Sequence, residues 1–333
     1  QMLNNEMLKE AVNLIGQAQN ILITTHTKPD GDACGSVSAM ENVLSGEGKN
    51  LKVLMLTEVP QWYKFMFDRA PAVLGKDVTL EELNSGGFIN PDLIILADVN
   101  SDNQLGVFSD YLKTNRKKVL VFDHHLTNDG LGDIELVDTS ASAAGLIVFD
   151  FFKFANWDIN QKAAESLFTA IATDTGWFRF TNTDSRTHSA CAELLTRGVD
   201  SAGLYHRLYR NFTAPRFRLM IIMLSRLELY FDRRYACQKI LQEDFAKTGA
   251  SIIDTENLID ECQRISSVEV AALFTELKDG RIKCSLRSRA GVDVRKIAQK
   301  FGGGGHTMAS GTYLTGTMQD AQEKIKNEIE KQR

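Results

Sequence analysis

The 333 residues, 43% hydrophobic and 24% charged, have the composition of a soluble globular chain long enough for two domains of ordinary size. A formal net charge of −5 argues against a protein that coats long nucleic acid, which needs a broad basic face, but leaves room for a small phosphorylated ligand in a local basic pocket. No run of roughly 18 apolar residues suits a membrane span, and five scattered cysteines without a C-x-x-C pair fit reduced thiols in a cytoplasm better than a disulfide framework or a zinc ribbon.

Residues 2–10 carry an amphipathic helix pattern without the apolar core of a signal peptide. Ile21-Leu22-Ile23-Thr24-Thr25 reads as a short buried strand leading into His26-Thr27-Lys28-Pro29-Asp30-Gly31-Asp32. The small residues that follow (Ala33, Gly35, Ser36, Ser38, Ala39) read as the first turns of a tightly packed helix, ending near Leu44 before Gly46 and Gly48. Cys34, within it, reads as a small buried residue. Further strands are expected over 51–56, over 92–98, which ends on Asp98, and over 118–125, which ends on Asp123-His124-His125. Strands alternating with helices imply a parallel sheet with right-handed crossovers, whose ligands sit beyond the carboxyl ends of the strands.

His26, Asp30 and Asp32 therefore share the loop at one such strand end. Mixed nitrogen and oxygen donors of this kind suit a divalent cation such as Mn²⁺, Mg²⁺ or Zn²⁺. One His and two Asp in a Pro/Gly turn also fit ordinary turn chemistry, with Asp side chains bonding local backbone. Residues 138–145 read as a helix start capped by a hydroxyl or carboxylate. A helical pattern over 163–173 runs into Asp174-Thr175-Gly176-Trp177-Phe178, and a carboxylate at such a helix end is ordinarily solvated. His188, in Ser185-Arg186-Thr187-His188, reads as a surface helix residue.

From about Ala190 to Arg226 the pattern is helical, interrupted by Gly198 and Pro215, and contains Tyr205-His206-Arg207-Leu208-Tyr209-Arg210-Asn211-Phe212. Basic residues among aromatics can stack bases, or pack a linker helix on a domain. The second domain starts near Leu227, with strands over 235–240, 268–274 and 282–287 and a hairpin turn at Lys278-Asp279-Gly280. Seven Lys/Arg and one acid, Asp293, lie between Arg281 and Lys300, against the acidic balance of the whole chain. Next comes Phe301-Gly302-Gly303-Gly304-Gly305-His306, either a flexible loop or a bare backbone that presents N–H groups to an anion.

Together, His-x-x-x-Asp-x-Asp at 26–32, Asp98, Asp123-His124-His125, Asp174 and Gly-Gly-Gly-Gly-His at 302–306 resemble the DHH/DHHA1 phosphoesterases of the RecJ-like superfamily. Within that family the short bacterial nanoRNases and pAp phosphatases are the most similar, over nearly the whole chain. The resemblance implies an α/β chain of two domains: a parallel-sheet DHH catalytic domain over 1–190 and a smaller α/β DHHA1 substrate-binding domain over 227–333, joined by a helical linker over 191–226. It implies two Mn²⁺, with Mg²⁺ or Co²⁺ as substitutes, His26 and Asp30 holding one and Asp32, His124 and Asp174 the other, with Asp98 between them. His125 would meet the scissile phosphate and Asp123 would orient a histidine. Arg287, Ser288, Gly303, Gly304, Gly305 and His306 would hold the substrate's other phosphate or its terminus.

The activity so implied is hydrolysis of short nucleotides: dinucleotides such as pApA, or 3′-phosphoadenosine 5′-phosphate to AMP. The alternatives are an exopolyphosphatase- or pyrophosphatase-like phosphohydrolase and a nucleotide-sensing module without turnover. A cytoplasmic protein with no membrane partner is expected, as a monomer or a homodimer.

Overall fold

Strands and helices alternate from the amino terminus to Asp123, and four helices in succession follow the strand that ends at Val137, in the computed structural model, which describes residues 4–332 apart from 211, 290 and 306. The chain forms two compact units, Gln1–Arg210 and Asn211–Arg333. The first contains strands β1 (Asn20–Thr24), β2 (Asn50–Met55), β3 (Ala72–Val73), β4 (Leu93–Ala97), β5 (Lys118–Asp123) and β6 (Ile134–Val137). Its α-helices are α1 (Asn5–Gln17), α2 (Gly31–Leu44), α3 (Leu80–Asn84), α4 (Phe108–Asn115), α5 (Ala144–Phe154), α6 (Gln161–Asp174), α7 (Ser185–Thr196) and α8 (Ser201–Tyr209).

The six strands form one sheet in the order β3-β2-β1-β4-β5-β6, with every pair parallel. Alternate residues of β1, β4 and β5 enter two cores: Ile23, Ile95 and Phe122 face α2, α5 and α6, while Leu22, Ile94 and Val121 face α3 and α4. Burial on both faces explains why these strands read as continuous apolar runs. The chain builds outward from β1 to β3 and then returns to β4 on the other side of β1. That reversal opens a crevice at the carboxyl ends of β1 and β4.

Helix α2 lies close against α6 because its facing residues are small. A Cβ at Gly31 would come within 2.2 Å of Thr173 Oγ1, and one at Gly35 within 2.4 Å of the Ser166 carbonyl oxygen. The start of α2 is thereby brought beside the end of α6. Asp30 caps α2, its Oδ1 accepting from the N–H groups of Asp32 (3.0 Å) and Ala33 (3.1 Å). The expected local cap on α5 is absent, since its N-cap residue is Ala143, which has no side-chain acceptor. Asp32 supplies the carboxylate instead, accepting from Ala144 N at 2.6 Å and Gly145 N at 2.8 Å.

The stretch expected as a helical linker divides at Arg210, after α7 and α8. Gly198, at φ 89°, separates those two helices, and Pro215 sits in the first turn of α9 (Ala214–Ser225), where its missing N–H costs nothing.

The second unit adds β7 (Glu228–Tyr230), β8 (Tyr235–Ile240), β9 (Val270–Glu276), β10 (Ile282–Ser288), β11 (Gly304–Gly305) and β12 (Ala309–Leu314). They form a mixed sheet in the order β11-β12-β10-β9-β8-β7, in which only β8 and β9 pair in parallel. The hairpin through Gly280, at φ 80°, joins β9 to β10 as expected. Helix α10 (Gln242–Thr248) follows β8, and α11 (Val294–Gln299) and α12 (Met318–Glu330) complete the unit. Among the described residues no helix is long and apolar enough to cross a membrane.

Candidate metal centre

His26 follows β1, Asp98 directly follows β4, and Asp123 ends β5 with His124 and His125 after it. Asp30 and Asp32 come from the start of α2, and Asp174 is the last residue of α6. Asp98 takes a left-handed backbone, φ 59°, a conformation tolerated by its short polar side chain and concentrated at functional sites.

These side chains converge in three overlapping groups among the described residues: His26, Asp30 and Asp98; Asp32, His124 and Asp174; and Asp98, His124 and His125. His26 Nε2 lies 3.5 Å from Asp98 Oδ2, and His26, Asp30 and Asp98 bring one ligand atom each within 4.8 Å of the others. On the other side, His124 Nε2 lies 3.6 Å from Asp98 Oδ1, 3.7 Å from Asp32 Oδ2 and 3.6 Å from Asp174 Oδ2. The two oxygens of one carboxylate thus face two separate donor sets.

Backbone carbonyls fix the histidine tautomers. His26 Nδ1 lies 2.8 Å from Thr27 O and His124 Nδ1 lies 3.3 Å from Ala141 O. A carbonyl oxygen only accepts, so both Nδ1 atoms carry the proton and both Nε2 lone pairs face the carboxylates. His125 differs. Its Nδ1 donates to Asp123 Oδ1 at 2.7 Å and lies 3.7 Å from Asp98 Oδ1, and the side chain is only partly exposed, at 43%. That hydrogen bond raises the imidazole's pKa against the opposing effect of burial, so Asp123 favours a protonated His125. Asp123 therefore orients the more exposed histidine rather than His26 or His124, whose Nδ1 atoms meet backbone carbonyls.

The ion pairs recorded for Asp32, Asp98 and Asp174 among the described residues are all with histidines. Burial, followed by repulsion from neighbouring carboxylates, pushes the Asp98 carboxyl well up. Burial likewise raises Asp32, and burial with Asp32 and Asp30 pushes Asp174 up to about 8. Asp98 Oδ1 is buried without a hydrogen-bond partner. An unsatisfied buried carboxylate oxygen between two mixed N/O donor sets fits divalent cations of the Mn²⁺ or Mg²⁺ class.

This crowding predicts a pH-dependent stability. Asp174 holds its proton to about pH 8 in the folded metal-free chain but only to about 4 when unfolded. Its contribution is fully present below the unfolded value and lost as pH rises through the folded one. In chelator the melting temperature should fall between about pH 4 and 8, and fall less steeply in Asp174→Asn. Equal slopes in calorimetry would contradict this electrostatic origin. Mn²⁺ requires the ionised carboxylates, so its binding should strengthen over the same range.

In the second unit, Arg287 Nε donates to Asp260 Oδ1 at 3.1 Å. Ser288 is buried, its hydroxyl donating to Val292 O at 2.8 Å, so that side chain is engaged within the unit. Gly304 and Gly305 are exposed and pair with Gly311 and Ser310 as an edge strand. Gly303 must be glycine, since a Cβ there would come within 2.2 Å of Gly311 O. His306 lies outside the described residues. Of the basic flank, Arg295 and Lys296 both face Asp293, at 3.3 and 4.0 Å.

Residues 20–173 match the DHH family N-terminal domain and residues 234–332 the DHHA1 domain. The chain is 31% identical over 297 residues to the bifunctional oligoribonuclease and PAP phosphatase NrnA of Thermus thermophilus, covering 89% of this chain and 84% of that one. The chain belongs to the DHH/DHHA1 phosphoesterase family. An exopolyphosphatase-related protein from Bacteroides fragilis shares the DHH/DHHA1 fold at TM-score 0.89 and 26% identity, covering 98% of this chain and 96% of that one. RecJ from Thermus thermophilus, solved with Mn²⁺, shares the fold alone at TM-score 0.53 and 13% identity, covering 99% of this chain and 56% of that one. His26, Asp30, Asp32, Asp98, Asp123, His124 and His125 lie inside the DHH match, and Asp174 is the next residue after it. The contacts from Thr27 O, Ala141 O, Ala144 N and Gly145 N are backbone groups, which leave no residue-type signal in the sequence.

Proposed function

We propose that the chain is a phosphoesterase dependent on two divalent cations, Mn²⁺ by preference, that hydrolyses short oligoribonucleotides and 3′-phosphoadenosine 5′-phosphate. The observation that carries this reading is Asp98, whose two carboxylate oxygens face two separate His/Asp donor sets. The names of the relatives supply the substrate class. His26, Asp30 and Asp98 hold one cation, and Asp32, His124, Asp174 and Asp98 the other. Bound there, the cations lower the pKa of water and draw charge from phosphoryl oxygens.

The chain's own residues do the rest. His26 and His124 keep their Nε2 lone pairs toward the centre because Thr27 O and Ala141 O occupy Nδ1. His125, whose affinity for a second proton is raised by its hydrogen bond to Asp123, donates from Nε2 to a non-bridging phosphoryl oxygen as charge develops there. Cys34, beside the motif, is buried and its thiol is pushed well up by that burial, so it offers no nucleophile and the reading needs no covalent intermediate. Arg287 and the backbone of 303–305, with His306, engage the substrate's other phosphate or its terminus, whereas the buried Ser288 hydroxyl is taken up by Val292 O. A cytoplasmic location accords with five cysteines that are all buried and unpaired.

An excess of chelator should abolish hydrolysis of a diribonucleotide, and Mn²⁺ should restore it best. Full activity in chelator would overturn the reading. Recognition by the second unit is tested separately. Arg287→Ala should raise the Michaelis constant for 3′-phosphoadenosine 5′-phosphate by about one to two decades, as for a lost charged hydrogen bond. Bis-p-nitrophenyl phosphate, which has no second phosphate, should suffer far less; equal losses on both would make Arg287 a structural residue. The fold shared with the exopolyphosphatase-related protein favours one second reading, hydrolysis of polyphosphate at the same centre.

A further inference from the structure

The first turn of α7 and the residues before it are tied to the segment between β6 and α5. Arg186 makes the strongest tie. Its Nη1 donates to Asp138 Oδ2 at 2.6 Å, while Nε and Nη2 donate to Asp150 Oδ2 at 2.9 and 2.7 Å. Asp138 is buried, and its other oxygen accepts from Ser140 N and Oγ at 3.0 and 2.6 Å. Thr187 Oγ1 lies 2.9 Å from Ser142 Oγ. Asn182 Nδ2 donates to Ser142 O at 3.1 Å and to the carbonyl of Asp174 at 3.2 Å.

The segment held in this way reaches the metal centre at two points. Ala141 O sets the tautomer and direction of His124, and the N–H groups of Ala144 and Gly145 orient both oxygens of Asp32. The His124 contact, at 3.3 Å, is longer than the matching His26 contact at 2.8 Å. A small shift of the segment would therefore weaken the His124 contact first.

We propose that Arg186 is a positioning residue for the cation group formed by Asp32, His124 and Asp174. Through buried Asp138 it holds residues 138–145 in the place that aims His124 and Asp32 at that cation. The proposal rests on reading these three residues as ligands. A group that hydrogen-bonds a metal ligand directly, as Ala141 O does, is worth about 10–100-fold in metal affinity, and Arg186, acting through Asp138 and the segment, takes the low end of that range. The planar fork of Arg186 spans two carboxylates, which a lysine ammonium cannot reproduce.

The test is a calorimetric Mn²⁺ titration of the metal-free full chain, with melting in chelator and steady-state kinetics on the same preparations. Arg186→Lys and Arg186→Ala should weaken one of two Mn²⁺ sites by about 10-fold, alanine more than lysine, and leave the other unchanged. At saturating Mn²⁺, kcat should fall with KM held. Asp150→Asn, whose amide oxygen can still accept from the Arg186 fork, should bind both ions as the wild type does. Arg186→Lys keeps a cation beside Asp138 and guards against an alanine variant that fails to fold. Wild-type affinity at both sites in the lysine and alanine variants would overturn the proposal. So would equal weakening at both sites in step with a lower melting temperature, the signature of a merely structural role. A wild-type chain that takes up no Mn²⁺ would overturn the reading of the centre itself, and this proposal with it.

Discussion

Asp98→Asn is expected to lower kcat/KM for a diribonucleotide by about three decades or more, roughly 4 kcal/mol of transition-state stabilisation. The substitution keeps the size of the side chain and removes the charge that both donor sets share, at 3.5 Å from His26 Nε2 and 3.6 Å from His124 Nε2. Elemental analysis should find both metals depleted rather than one. The same variant should melt at a higher temperature in chelator, because it removes a buried carboxyl crowded by Asp32, Asp30, Asp174 and Asp123. An Asp98→Asn protein that keeps two metals and its activity would remove Asp98 from the centre.

The second large effect separates two neighbouring histidines. His125→Ala should retain both metals and lose about 10²–10³-fold in kcat, the usual consequence of deleting a donor to a developing oxyanion. His124→Ala should lose metal. The structural basis is the difference in their Nδ1 partners. His124 bonds a backbone carbonyl and turns Nε2 toward Asp32, Asp98 and Asp174, whereas His125 bonds Asp123 from an exposed position. Equal metal loss in the two variants would merge their roles.

The strands that carry the centre were legible because burial on both faces turns β1, β4 and β5 into apolar runs, each followed by ionisable residues. The small residues after Asp32 mark α2 as a tightly packed helix, but not that its partner is α6, which begins only at Gln161. Strands β3 and β6, of two and four residues and mostly half-buried, carry no comparable run and were missed. The cap on α5 could not be found locally, since Asp32 lies 112 residues before Ala144. Spacing also left open which histidine Asp123 holds, because neighbouring side chains at a strand end diverge. Pro215 reads from the sequence as an interruption of a helix but begins one, the distinction resting on Thr213, whose side chain caps α9.

Product identification tests the central claim most directly. The metal-free chain is supplied with Mn²⁺ and offered a diribonucleotide, 3′-phosphoadenosine 5′-phosphate, a long single-stranded RNA and inorganic polyphosphate in turn, and the products are separated by chromatography. Release of mononucleotides from the first and AMP from the second, dependent on Mn²⁺ and abolished by Asp98→Asn, is the predicted result. Hydrolysis confined to polyphosphate, or turnover of the nucleotides that persists without metal, would contradict the account.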